Sequence, residues 1–126
     1  MLVDTNIWIN YFRSNSDSEA LHYLFDSERI VINDVVLAEL LPAMNVFGRK
    51  EPIAMLKAIE KFPVFVNWDG LIEIQTLCLK NGVNGVGLSD LMIVQSAKEY
   101  DAMIFSHDKH FRLIKDALDV EMFEFP

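Results

Sequence analysis

Short apolar runs alternate with longer segments of helical periodicity in this chain, and the alternation limits the folds that it can adopt. The runs are Met1–Asp4, Ile30–Ile32, Pro63–Val66, Ala102–Phe105 and Val120–Phe125. They are too short and too apolar to show the alternation of apolar and polar residues that is typical of strands with one face in water. We therefore predict parallel strands covered on both faces. The sequence therefore predicts an α/β fold of three layers, α/β/α, around a parallel sheet of about four to five strands.

The segments between these runs place apolar residues at helical spacing and begin beside side chains that commonly cap helices. The predicted capping residues are Thr5 or Asn6, Ser18, Asp34, Asp69 and Ser89. Pro52 lies where the first turn of a helix tolerates proline, and that helix is predicted to continue through Phe62. Gly48 and Gly82 are predicted to end the helices before them, and a last short helix is predicted over Phe111–Leu118.

Composition favours one globular domain. The chain has 126 residues, of which 52% are hydrophobic and 24% charged, so residues 1–126 are predicted to form a single domain around a continuous core. The one cysteine, Cys78, excludes an internal disulfide and suits a reducing compartment. No apolar run approaches the ~20 residues of a membrane span, and the opening segment lacks the basic stretch of a secretory signal. We expect a soluble cytoplasmic protein with no membrane partner.

Four acidic residues occur where the predicted fold would bring them together. Asp4 ends the first strand, and Asp108 follows the fourth. Glu39 lies in the helix after the second strand, and Asp90 in the first turn of the helix that leads into the fourth. Because function in open parallel sheets gathers beyond the carboxyl ends of the strands, we expect all four carboxylates at one rim.

Such a cluster needs a cation, because neighbouring carboxylates raise one another's pKa and resist ionisation. Oxygen ligands suit Mg²⁺ or Mn²⁺, and an ion of this kind acidifies a bound water and offsets charge on a phosphodiester. We predict Asp4 and Asp90 as the firmest metal ligands, with Glu39 and Asp108 as direct or water-mediated ligands. The net charge of -8 disfavours simple nonspecific binding of nucleic acid, so the cation is central to this hypothesis.

Four sequence motifs resemble those of PIN-domain ribonucleases, and among these the VapC toxins of toxin-antitoxin modules. The motifs, in chain order, are Val3-Asp4-Thr5-Asn6, Leu37-Ala38-Glu39-Leu40-Leu41, Leu88-Ser89-Asp90-Leu91-Met92-Ile93 and Ser106-His107-Asp108-Lys109-His110-Phe111. The resemblance covers nearly the whole chain, and it implies a PIN-like fold.

The resemblance also implies a site and partners. The family's acidic positions fall on Asp4, Glu39, Asp90 and Asp108, and its small hydroxyl or amide positions fall on Thr5, Asn6 and Ser106. The latter would orient the carboxylates or contact phosphate. The family further implies Mg²⁺ or Mn²⁺, cleavage of RNA as an endoribonuclease, a homodimer and a cognate antitoxin.

Several residues have an alternative interpretation as ordinary surface or core. Glu39 is the acid that is hardest to explain as surface, because apolar neighbours flank it and a charge rarely points into such surroundings unpaired. His107 and His110 flank Asp108 and are either metal ligands or a general base, or else solvated loop residues or phosphate contacts. The basic residues that either line an RNA groove or are only solvated are Arg13, Arg49, Lys50, Lys109 and Arg112.

Two other functional classes are compatible with the same elements. A noncatalytic module could use the fold to bind a partner protein or RNA, and intact acids argue against it. A metal-assisted phosphatase or a phospho-receiver also places acids at strand ends. A receiver, however, needs paired acids after the first strand, and here Asp4 stands alone before Thr5.

Overall fold

The structure, a computed structural model, describes residues 1–27 and 29–125. Glu28 and Pro126, which the predicted domain 1–126 includes, lie outside the described residues. The strands are β1 (Leu2–Val3), β2 (Val31–Asn33), β3 (Glu60–Phe62) and β4 (Ile104–Phe105). The helices are α1 (Thr5–Ser14), α2 (Ser18–Ser27), α3 (Asp34–Val46), α4 (Lys50–Ala58), α5 (Trp68–Lys80), α6 (Leu88–Glu99) and α7 (Lys109–Leu118).

The four strands form one parallel sheet in the order β3-β2-β1-β4. β1 is central, since Leu2 is in register with Val31 of β2 on one side and with Ile104 of β4 on the other. All residues of β1, β2 and β4 are buried, as expected for parallel strands with helices on both faces. The predicted three-layer α/β/α fold is confirmed.

The predicted closing strand is reduced to a single bridge. Met122 pairs with Ile104 in parallel, and the amide of Phe123 donates to the carbonyl of Ile104 across 2.9 Å. Residues 121–123 therefore lie along the outer edge of β4 without forming a full strand. Phe123, Glu124 and Phe125 of this segment line a cavity beside the end of β4.

The prediction of a third strand over Pro63–Val66 is wrong. The strand is Glu60–Phe62, and the helix predicted to run through Phe62 ends at Ala58. β3 is an edge strand whose first two side chains are exposed, so it lacks the apolar signal that marked the other strands. Pro63 has no amide hydrogen and cannot extend the ladder, which explains why pairing stops before it.

Several predicted helix caps are displaced by one or two residues. Asn33, not Asp34, caps α3, and its side chain accepts from the amide of Val36 across 3.0 Å. Asn67, not Asp69, caps α5 by accepting from the amide of Gly70 across 2.9 Å. These side chains satisfy amides that have no partner within the helix.

Two of the three helices that begin at a candidate acid, α1 and α6, have no side-chain cap. α1 follows Asp4 and α6 follows Gly87, so the predicted caps Thr5 or Asn6 and Ser89 are wrong. Thr5 and Asn6 instead lie inside the first turn of α1, where their side chains are available for the candidate site. Among the described residues, no helix is long and apolar enough to cross a membrane.

Candidate active site

Asp4 is held at the carboxyl end of β1, directly beside the end of β4. Its amide donates to the carbonyl of Phe105 across 2.9 Å, which continues the parallel pairing one residue past both strands. The side chain is only 5% exposed. The next residue after β4 is Ser106, whose hydroxyl donates to Asp4 Oδ2 across 2.7 Å. Strand adjacency therefore places a hydroxyl donor against a buried carboxylate.

Ser106 Oγ is the centre of a hydrogen-bond network that fixes this carboxylate. It accepts from Asn6 Nδ2 across 3.2 Å and from the amide of Asp108 across 3.0 Å. A hydroxyl has one proton and two acceptor positions, and both of these partners can only donate. The proton of Ser106 must therefore point to Asp4, so that Asp4 Oδ2 is an acceptor. Asn6 Oδ1 accepts from the amide of His107 across 3.4 Å.

Glu39 reaches the site from α3 through a hydroxyl contact. Thr5 Oγ1 donates to Glu39 Oε1 across 3.1 Å. Glu39 is exposed, so the argument that its apolar neighbours surround its charge is wrong. Leu40 turns into the core, Ala38 is exposed like Glu39, and the carboxylate stays at the rim. Its place at the site follows from Thr5, not from burial.

Asp90 and Asp108 lie together, and His110 joins them. The side-chain ligand atoms of these three residues lie within 4.8 Å of one another, and each residue is partly buried. Asp108 caps α7, where its Oδ1 accepts from the amide of His110 across 2.9 Å. His110 Nδ1 lies 3.1 Å from the same oxygen. The capping turn thus folds the imidazole back onto the carboxylates.

The two histidines that flank Asp108 have different surroundings. The imidazole of His107 forms no hydrogen bond with the four candidate acids. Its Nε2 instead lies 2.9 Å from Asp17 Oδ1, in the turn between α1 and α2. Asp17 adopts a positive φ of 61°, which aspartate tolerates better than most residues. The sequence did not single out Asp17, and its pairing with a residue 90 positions away carries no local signal. Of the two, His110 is the nearer candidate ligand.

The acids are coupled electrostatically. Burial raises the pKa of Asp4 to about 6 from 3.8, against hydrogen bonds from Ser106 and the Thr5 amide, with smaller contributions from the charges of Asp90 and Glu39. Burial also raises the pKa of Asp90, and the nearby charge of Asp108 adds to this effect. A hydrogen bond from the Gly87 backbone and the proximity of His110 oppose that shift.

This arrangement fits a divalent cation by its donor chemistry. Carboxylate oxygens suit hard cations, and an imidazole nitrogen is also accepted by Mn²⁺. A cation would favour the ionised forms that burial and mutual repulsion disfavour. Among the described residues, the donor atoms of Asp90, Asp108 and His110 lie close enough together to hold one ion, whereas the predicted pair of firmest ligands, Asp4 and Asp90, remains a prediction.

The chain belongs to the PIN domain family. The model of that family matches residues 1–117, which include all four acids. The resemblance inferred from the four sequence motifs is thereby confirmed at the level of the family. A search among curated proteins finds no match.

Solved structures share the fold at low sequence identity. A chain of VapBC2 from Rickettsia felis, bound to a DNA fragment from its promoter, has a TM-score of 0.78 and 19% identity, covering 97% of this chain and 96% of its own. A chain of FitAcB from Neisseria gonorrhoeae has a TM-score of 0.73 and 19% identity, covering 98% and 96%. A chain of VapBC-1 from nontypeable Haemophilus influenzae has a TM-score of 0.69 and 22% identity, covering 98% and 96%.

The raised pKa of Asp4 predicts a pH-dependent loss of stability in metal-free protein. Because the folded-state pKa is about 6 and the ordinary value is 3.8, the folded state binds more protons between about pH 4 and pH 6. The free energy of unfolding contributed by this group therefore falls as pH rises through that window. Asp4→Asn should remove the effect and stabilise the metal-free protein at pH 7, by up to about 3 kcal/mol.

Urea unfolding with a chelator present, at pH 4 and pH 7, measures this difference. The control is Glu73→Gln, an isosteric change at an exposed site on α5, which should stay within about 0.5 kcal/mol of wild type. Equal stability of Asp4→Asn and wild type at pH 7 would contradict the prediction.

Proposed function

We propose that the protein is a divalent-metal-dependent endoribonuclease that acts as the toxin of a toxin-antitoxin pair. The observation that carries this proposal is the coupled acidic cluster at the carboxyl ends of β1 and β4, where burial raises the pKa of Asp4 and Asp90. PIN domains are typically nucleases, and membership of that family supports the reaction class. The RNA substrate is an implication of the resemblance to VapC toxins.

The chain's own residues would prepare the site as follows. Asp90, Asp108 and His110 would hold Mg²⁺ or Mn²⁺, with Asp4 and Glu39 as direct or water-mediated ligands. When bound, the ion would supply an acidified water and neutralise charge on the scissile phosphate. Ser106 fixes the orientation of Asp4 through its donated hydrogen bond.

Thr5 has a comparable role, since its hydroxyl restrains Glu39 at the rim. Asn6 acts on Asp4 indirectly, through Ser106. Its side chain donates to the hydroxyl of Ser106 and accepts from the amide of His107. Each of these three polar residues therefore restrains a carboxylate or its support, as expected of groups that orient metal ligands.

Basic residues flank the cluster although the chain is acidic overall. Arg13 and Arg49 line a groove that Glu39 borders, and Arg112 lines a cavity next to His107. These positions would contact phosphates on either side of the scissile bond. The groove at Glu39, with two arginines and one acid in its lining, thus suits a polyanion better than the net charge of -8 suggests.

Cleavage of RNA tests the proposal. Purified protein with Mn²⁺ or Mg²⁺ should cut single-stranded RNA, and a chelator should stop it. Asp90→Asn should lower the rate by about 100-fold or more, since even losses of groups that only orient metal ligands cost about 10–100-fold. Glu73→Gln keeps the acid cluster intact and should cleave like wild type.

The main alternative is a noncatalytic PIN-fold module that binds a protein or RNA. Titration calorimetry with Mn²⁺ separates the two hypotheses when it is paired with the cleavage assay. Metal binding that Asp90→Asn abolishes, together with RNA cleavage, supports the nuclease. Metal binding without turnover on any RNA would overturn the nuclease and favour the binding module.

We also propose that an antitoxin inserts a basic residue among the carboxylates. The geometry of the guanidinium group favours arginine for this role. A guanidinium can pair with two carboxylate oxygens at once and would take the place of the metal. The groove that Arg13, Glu39 and Arg49 border also has apolar walls, and it would receive the adjoining part of the antitoxin in place of RNA. It is lined by Ile9, Phe12, Leu40, Ala43, Met44 and Phe47.

The structure of the complex tests this partner. We expect an arginine of the antitoxin within hydrogen-bonding distance of Asp4 or Asp90, and an apolar helix or strand in the groove. An acidic or purely apolar segment over these acids would contradict the proposal.

We propose in addition that the protein forms a homodimer. An exposed apolar face on α5 and α6 supports this proposal. Trp68, Ile72 and Leu79 lie along α5 at helical spacing, Leu88 begins α6, and all four side chains are more than half exposed. A stripe of this kind is self-complementary when two copies pack around a twofold axis. We therefore propose a second copy of this chain as its occupant.

The mass in solution tests the dimer. Light scattering should give twice the 14.5 kDa of one chain for wild type, and Ile72→Glu should shift the mass towards that of a monomer because it buries a charge in the interface. Leu113→Glu introduces the same charge at an exposed leucine of α7 and should leave the dimer intact. A monomeric wild type, or a dimer that tolerates Ile72→Glu, would remove this face as the interface.

A further inference from the structure

A cavity of about 330 Å³ lies immediately beside the acidic cluster, on the outer side of β4. The loop after β4 contributes to both the cavity and the acidic cluster. Ser106 and His107 line the cavity, whereas Ser106 also donates to Asp4, and Asp108 follows His107 in the chain. Parallel strands lie about 4.8 Å apart, so the cavity is one to two strand spacings, about 5–10 Å, from Asp4. One strand of nucleic acid can reach both.

Aromatic rings form much of the cavity wall. Phe105 packs edge-on against His107 with ring centroids 5.7 Å apart, and edge-on against Phe123 at 5.2 Å. Phe125 lines the cavity as well and is partly exposed, and Tyr23 packs behind it with a centroid distance of 5.8 Å. Two of these rings, Phe123 and Phe125, come from the segment after α7, which forms a single β-bridge with β4.

The imidazole of His107 is oriented although it is nearly half exposed. Asp17 Oδ1 lies 2.9 Å from its Nε2, and the amide of His107 donates to Asn6 Oδ1. A ring that Asp17 holds in place and that stays nearly half exposed can stack against a planar group. Arg112, also at the cavity, adds a planar cation that can stack on a base or pair with a phosphate.

We propose that this cavity binds one unpaired nucleobase of the RNA next to the scissile phosphate. The inference rests on the proposed ribonuclease function and adds a base subsite to it. The volume is at the lower end of the range of about 300–1,000 Å³ for small-molecule pockets, which suits one nucleotide better than a longer segment. Proteins that recognise single-stranded RNA stack its bases on aromatic rings, histidine and arginine, the groups that this cavity offers.

Abasic substitution in the substrate tests the subsite. A short oligoribonucleotide with one cleavage site is prepared as a series in which each base near the cut is removed in turn while the sugar-phosphate backbone stays. For wild type, removal of one base beside the cut should lower kcat/KM by roughly 10-fold or more, the effect of losing a base stacked on an aromatic ring.

Variants connect that loss to the cavity. Phe125→Ala should cleave the intact and the abasic oligonucleotide at nearly equal rates, whereas Phe125→Tyr keeps the ring and should retain the difference. Phe65→Ala removes an exposed aromatic ring outside the cavity and should behave like wild type. Equal sensitivity to the missing base in Phe125→Ala and wild type would overturn the proposal, as would a wild type that is indifferent to every removed base.

Binding separates a failure of the subsite from a failure of the ribonuclease. The same oligonucleotides are titrated by fluorescence anisotropy against wild type and Asp90→Asn, and affinity needs no turnover. Tighter binding of the intact oligonucleotide, lost in Phe125→Ala, would support the base subsite even if no RNA were cut. Equal affinity for the intact and the abasic oligonucleotides would overturn the base subsite without affecting the ribonuclease proposal. Absence of any RNA binding would overturn both the subsite and the ribonuclease proposal.

Discussion

The hydrogen bond from Ser106 to the buried carboxylate of Asp4 is the contact on which the candidate site depends. It exists because β1 and β4 are neighbours in the sheet and end at the same level. An ionised carboxylate that is 5% exposed is costly unless donors satisfy it. Ser106 and the amide of Thr5 supply those donors, and Asn6 and the amide of Asp108 in turn fix Ser106. The position of the Asp4 carboxylate is therefore fixed by the pairing of β1 with β4 and by the hydrogen bonds around Ser106.

The parts of the site that follow from strand direction could be predicted, and those that follow from strand order could not. Carboxyl ends of parallel strands share one rim, so Asp4 and Asp108 were expected there. That β4 pairs directly with β1 is a contact across about 100 positions, without a local signal in the sequence. The hydroxyl geometry of Ser106 depends on that pairing. Edge strand β3 was misplaced for a related reason, since exposed Glu60 and Lys61 do not look like a strand.

The two histidines illustrate how far local sequence can discriminate between roles. His107 and His110 flank Asp108 almost symmetrically in the sequence, and no periodicity separates them. The capping turn of α7 folds His110 towards Asp90 and Asp108, while Asp17 holds His107 at the lining of the cavity. One histidine thus faces the acids and the other the cavity. Their difference comes from a helix start and from a contact between distant turns.

The cost of the acidic cluster to the metal-free protein is also what makes it receptive to cations. Each pKa that burial and repulsion raise represents free energy that the metal-free fold loses at neutral pH. A bound cation stabilises the ionised carboxylates and recovers this free energy, so the same groups favour a divalent ion or an arginine. Both cations would compete for one set of oxygens. Under the proposed function, inhibition by an antitoxin and activation by metal would be two outcomes of the same electrostatic constraint, and the net charge of -8 would reinforce it.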